Sequence, residues 1–419
     1  MALVTAVQPA RDAAAATACS LTQLEPQLGE FMVTQGVGGT GSAAYAPLTR
    51  GKETLSKAFL TLPTACSVGT GYIKVTNASL AISGGSVANT LFTNLGSSPA
   101  IPAATVQPNS SADPIFVVPS ANTAQGATDT SFTATFTATV TYSRKAQGST
   151  TVQTGLTKTF TRNTTFERQT NALRILVIPM GDASQAYNTQ YTAADQAIVQ
   201  NAMQTLARIY PVPDRLGDLA GTSGGVRYTV DTATMLDLRS LFVSGKFCGT
   251  GSNFATIKGL LAQYLLANNT ANPSATADRV VGVVDGAISL GGSSGCAEGM
   301  ASVSSAESWI RLIPDAGGAP SMSGALAAQE VSHTFGLELG AVTYHSATVE
   351  ADRGTSRAYN DASRALIAND HDVMDFNTST GPWDNTTTLL SAGDFSYLLC
   401  QLKPTSGATS ACPTPGNVG

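Results

Sequence analysis

Charge is scarce in this sequence: Asp, Glu, Lys and Arg make up 12 % of its 419 residues, about half the roughly 25 % of ordinary globular domains. The net charge is only −5, which removes the basic footprint of a nucleic-acid-binding protein and excludes that class of partner. No apolar run approaches the roughly 18 residues of a membrane-spanning helix, so no transmembrane segment is expected. No two cysteines stand in C-x-x-C spacing, which removes zinc-ribbon and thioredoxin-like readings. The Gly-rich stretch GAISLGGSSGCAEGMAS (286–302) has neither G-x-x-x-x-G-K nor G-x-G-x-x-G spacing, so it is not a phosphate cradle. Histidine is rarer still, with three in the whole chain.

What is present is apolar and small. Hydrophobic residues reach 42 %, enough to bury a core and to exclude wholesale disorder. The length predicts two or three domains. Six cysteines occur, Cys19, Cys66, Cys248, Cys296, Cys400 and Cys412, an even number. Locality pairs Cys19 with Cys66, Cys248 with Cys296 and Cys400 with Cys412, although six cysteines permit fifteen pairings. Together with the Asn-x-Ser/Thr triplets at Asn77, Asn109, Asn163, Asn377 and Asn385, they point to a secreted or cell-surface protein. The opening residues lack a basic n-region and an apolar h-region, as expected of a mature or recombinant start.

Residues 1–170 read as antiparallel β structure, with short apolar runs cut by Gly, Pro, Asn and Ser. In SFTATFTATVTYS (131–143), Phe132, Ala134, Phe136, Ala138, Val140 and Tyr142 alternate with Ser and Thr, the period of a strand with one buried face. Residues 148–162 read as the following hairpin arm, and the whole as a β-sandwich. The character changes at ALRILVIPM (172–180), a continuous apolar run of the kind covered on both faces. A helix is expected over 192–210, a strand at 226–231, a helix over 253–268 and a strand at 279–285. That alternation is α/β order for residues 171–419.

The chemistry concentrates in SGALAAQEVSHTFGLELG (323–340). A helix from a Ser323 cap through Leu337 puts Gln329 and His333 on one face, with Glu330 one turn before His333. Two ligands at i and i+4 with a Glu after the first is the zinc-metallopeptidase spacing, in which the Glu serves as general base. All three histidines, His333, His345 and His371, fall in this part of the chain.

The residues E-V-S-H-T-F-G-L (330–337), followed by D-V-M-D-F (372–376), resemble the metzincin branch of the zincin metallopeptidases, with the second segment as a Met-turn around Met374. The resemblance covers roughly 172–402. It implies a zincin-like α/β domain, preceded by an Ig-like β-sandwich, and a zinc ion serving peptide hydrolysis with Glu330 as the base. Two positions depart from the family. Gln329 stands where the first zinc-binding His belongs, and a neutral amide is a poorer ligand than imidazole. Leu339 stands where the third belongs; His345 is the replacement expected, ahead of Glu338, Glu350 and Asp352. Zinc is therefore expected in an intact site and weakly held, or absent, with Gln329. Three functions follow: a secreted zinc endopeptidase acting on protein or peptide, a pseudoprotease that only binds, or a self-assembling surface protein suited by its low charge.

Overall fold

The structure, a computed structural model, describes residues 17–35, 48–84, 90–94, 114–123, 131–167, 171–241 apart from 183, 185, 222, 223, 234 and 240, 252–285, 299–313 apart from 304, 322–337, 358–360, 365–367, 371–372, 387–390 and 392–402.

Thr and Ser alternating with apolar residues build the N-terminal region. Its strands are β1 (Gln27–Thr34), β2 (Leu48–Thr49), β3 (Thr54–Thr61), β4 (Tyr72–Ser83), β5 (Thr90–Asn94), β6 (Ile115–Val118), β7 (Phe132–Lys145) and β8 (Gln153–Glu167), with a single helical turn, α1 (Ser120–Thr123). They form a three-stranded sheet, β1-β3-β6, and a five-stranded one, β2-β8-β7-β4-β5. One core serves both: Phe31, Ala58 and Phe116 from the first sheet pack with Ile73, Leu80, Phe136 and Val140 from the second. Ala134, Phe136, Ala138, Val140 and Tyr142 of β7 are buried, as their alternation predicts, and Phe132 is half-buried. On the outer face, Thr133 opposes Thr165 and Thr139 opposes Thr159 across the β7–β8 hairpin. One pairing departs from antiparallel order: β2 runs parallel to β8. The Cys19–Cys66 disulfide, expected from locality, closes a separation of 47 residues, which the chain-entropy account makes worth roughly 4 kcal/mol.

The second region begins with β9 (Leu173–Gly181) and continues through α2 (Tyr187–Gln190), α3 (Ala193–Ile209), β10 (Leu216–Gly217), β11 (Val226–Val230), β12 (Leu236–Asp237), α4 (Ser252–Ala271), β13 (Arg279–Val284), β14 (Gly299–Ala301), β15 (Glu307–Arg311), α5 (Met322–Thr334) and α6 (Ala392–Leu402). The sheet order is β10-β11-β9-β13-β15-β14, with β12 also on β9. Every pairing is parallel except β14 on β15, which is antiparallel. The continuous apolar run of β9 has its reason here. Leu173, Ile175 and Val177 enter the core under α3, α5 and α6, while Leu176, Ile178 and Met180 enter the core under α4. Both faces are covered, so no residue of the run can be polar without a partner.

Sequence punctuation accounts for α3. Thr192 accepts from the Asp195 backbone N–H and Asp195 accepts from the Thr192 N–H, a reciprocal cap. Pro211 lies just past the helix's other end and cannot extend its hydrogen bonding. The chain therefore combines a β-rich N-terminal region, whose last described strand ends at Glu167, with an α/β region whose first described strand begins at Leu173. Among the described residues, no helix is long and apolar enough to cross a membrane.

Candidate functional site

The helix that carries Gln329, Glu330 and His333 is buried nearly all round. Ala325, Leu326, Ala327, Ala328 and Val331 belong to the core, and Gln329, Glu330 and His333 are themselves 4 %, 6 % and 8 % exposed. Small residues permit this. A Cβ on Gly324 would stand 2.4 Å from the Thr205 Cβ of α3, so glycine is what lets α5 lie against α3. Ser323 is not the cap expected of it. It lies within the first turn, where its hydroxyl accepts from the Ile313 N–H at 2.8 Å and so ties α5 to the end of β15.

Deeper in the helix, the Ser332 hydroxyl donates to the Ala328 carbonyl at 2.7 Å, and the Tyr210 hydroxyl meets Ser332 Oγ at 2.8 Å. Tyr210 follows α3 directly, so two helices are bolted together one residue before His333. On the next residue, Thr334 Oγ1 accepts from Arg279 Nε at 2.8 Å, and the Arg279 guanidinium lies 4.0 Å from the Phe335 ring centroid. The Phe335 carbonyl accepts from the Tyr397 hydroxyl of α6 at 2.7 Å.

The helix ends at Thr334, earlier than the expected Leu337, because Gly336 adopts φ +104°. The Gly336 N–H bonds the His333 carbonyl and the Leu337 N–H bonds the Ser332 carbonyl, the two links of a Schellman motif. This reversal brings the Leu337 carbonyl 2.6 Å from His333 Nδ1. An Nδ1–H donated to that carbonyl leaves the imidazole lone pair on Nε2, the orientation in which second partners commonly hold a metal-binding histidine. Gly336→Ala is expected to cost about 1–3 kcal/mol of stability, read by chemical denaturation, because a side chain is strained at that φ. It should also move the His333 ring resonances by NMR; unchanged resonances would mean that the turn does not hold the ring.

Glu330 faces the sheet edge. A Cβ on Gly299 of β14 would stand 2.9 Å from both Glu330 Cγ and Oε1, so the carboxyl lies directly against an edge strand whose glycine makes room for it. Burial alone pushes this carboxyl from the ordinary 4.5 to about 8. A buried carboxyl that holds its proton near neutral pH is suited to exchanging one.

The remaining sequence candidates divide. His345, Met374, Glu338, Glu350 and Asp352 lie outside the described residues, as do Cys248, Cys296 and Cys412. Cys400 is disulfide-bonded, and no described cysteine is free. His371 and Asp372 form a two-residue strand parallel to 387–389. Among the described residues, no three His, Cys, Asp or Glu side chains gather as a metal-binding group. Of the three expected ligands, Gln329 and His333 fall among the described residues and His345 does not, and a catalytic zinc site uses three protein ligands.

Some contributors carried no readable signal. Met300 and its neighbours fall in a stretch that reads as a Gly-rich loop, yet 299–301 pairs with 308–310. Tyr210 and Arg279 act on α5 from far along the chain. No protein-family model matches this chain, and no curated protein is detectably similar to it.

Proposed function

We propose that the chain is a secreted zinc-dependent endopeptidase of metzincin type, with an Ig-like sandwich ahead of a zincin-like domain. The observation that carries this reading is the buried Glu330 against the edge strand β14, one helical turn from a His333 ring pinned through Nδ1. Gln329 and His333 would hold the metal from one helix face, with His345 as the third ligand. Zinc, when bound, supplies Lewis acidity toward a carbonyl and lowers the pKa of water.

The chain's own residues do the rest. In its ionised form, Glu330 accepts the proton of the attacking water and passes it to the leaving amine. β14, the edge strand of the sheet among the described residues, orients an extended peptide through main-chain hydrogen bonds, as exposed sheet edges do. The Cys19–Cys66 and Cys400 disulfides support an oxidising, extracellular setting.

Gln329 favours a second reading, a pseudoprotease that binds extended segments at the same edge or serves as a surface-structural protein. Zinc titration and peptide cleavage by the purified full chain separate the two. One equivalent of zinc, with chelator-sensitive cleavage that Glu330→Ala abolishes, is the peptidase result. A chain that retains an extended peptide without zinc or cleavage is a pseudoprotease. A chain that does neither removes both readings of this site.

A further inference from the structure

We infer that Lys52, in the N-terminal β-region, is a positioning residue for α5, acting through the end of α3 and Tyr210. The inference needs no metal and stands whether or not the peptidase reading does.

Its root is a missing donor. The carbonyl of Ala207 would ordinarily accept from the backbone N–H four residues on, but that residue is Pro211, which has none. Lys52 Nζ donates to this carbonyl at 2.8 Å and also pairs with Asp214 Oδ1 at 2.8 Å. The ammonium therefore completes a helix end belonging to the other region of the protein, where the helix dipole also favours a cation. Lys52 is 2 % exposed, so the contact is a seam buried from water.

The turn presenting Lys52 is built to hold it. Gln35 brackets Thr49, accepting from its N–H at 2.6 Å and donating to its carbonyl at 2.7 Å, and donates to Thr54 Oγ1 at 2.9 Å. Thr123 Oγ1 donates to the Lys52 carbonyl at 2.8 Å. Across the seam the backbones join as well: the Glu53 N–H donates to Asp214 Oδ2 at 2.7 Å, and the Asp214 N–H to the Gly51 carbonyl at 2.9 Å. Three residues beyond Ala207 comes Tyr210, fully buried, whose hydroxyl engages Ser332 and Ala328 in α5. Two sets of polar contacts, joined by the backbone of the last turn of α3, thus link the β-region to the residue before His333, and the close approach of Gly324 to Thr205 also seats α5 on α3.

Backbone hydrogen exchange of the full, metal-free chain, read by mass spectrometry, tests this. Lys52→Met keeps the apolar stem and removes the ammonium. It should accelerate exchange about tenfold or more in the last turn of α3 and in α5, since hydrogen bonds to charged groups carry that much free energy. Exchange in β4, β7, β9 and β13 should not change. Tyr210→Phe should accelerate α5 while leaving 49–54 unchanged. If Lys52→Met fails to fold, Asp214→Asn weakens the same pair and is read on the same segments. Unchanged α5 exchange in these variants would overturn the inference. So would uniform acceleration of the whole chain, which would make Lys52 a general stabiliser with no special hold on α5.

Discussion

Gln329→His should convert a weak or absent zinc site into one that takes up close to one equivalent. Position 329 lies one turn before His333 on the same face of α5, so a histidine there brings a second imidazole to the same ion without a change of backbone. Partners of metal ligands in the outer shell commonly shift affinity by 10–100-fold, so gaining a ligand outright should exceed about 100-fold. Calorimetric titration of parent and variant reads the difference directly. The variant should also gain chelator-sensitive peptidase activity that Glu330→Ala abolishes. Zinc uptake without activity would favour the pseudoprotease, and a variant that takes up no zinc would remove His333 and His345 together as ligands. The site has little slack to absorb the new ring, because Gln329 is 4 % exposed, so the variant's folding midpoint belongs in the same experiment.

The second large effect is on stability and belongs to Glu330. Its carboxyl titrates near 8 in the folded chain and at the ordinary 4.5 when unfolded. Between those values the folded state holds a proton that the unfolded state has released. Stability contributed by the protonated carboxyl is therefore complete below about pH 4.5 and lost as pH rises through 8. The slope is about 1.4 kcal/mol per pH unit, which accumulates to several kcal/mol. Glu330→Gln carries no such proton. In chelator-treated protein the variant should match the parent near pH 5 and exceed it increasingly toward pH 8.5, as measured by urea denaturation at each pH. Parallel pH profiles for the two proteins would mean that the carboxyl is not desolvated in its place against Gly299.

The elements legible in the sequence are those whose reasons are local. ALRILVIPM announces a strand covered on both faces because its apolar side chains alternate between one core and the other. Thr192, Asp195 and Pro211 bracket α3 by capping and by the lack of a donor, and the alternation in β7 marks its buried side. That Gln329, Glu330 and His333 lie on one buried helix follows from the local pattern around them.

What was not legible depends on turn geometry or on partners distant in the chain. Gly299–Ala301 has no strand character of its own; the open edge of β15 imposes it. The Leu337 carbonyl reaches His333 only because Gly336 reverses the chain, a path that spacing does not encode. Pro211 does signal that the Ala207 carbonyl needs another donor, but nothing local names Lys52.

The position of β9 has a consequence in time. It pairs with β11, β12 and β13, strands that arrive only after long crossovers, as parallel pairing demands. Chain closure must be achieved before any of those pairings can offset its entropy. The α/β region should therefore refold slowly, in the range of milliseconds to seconds or longer, with the apolar 173–181 segment exposed meanwhile. In a chain with so few charges to keep collapsed molecules apart, that interval is when self-association competes with folding.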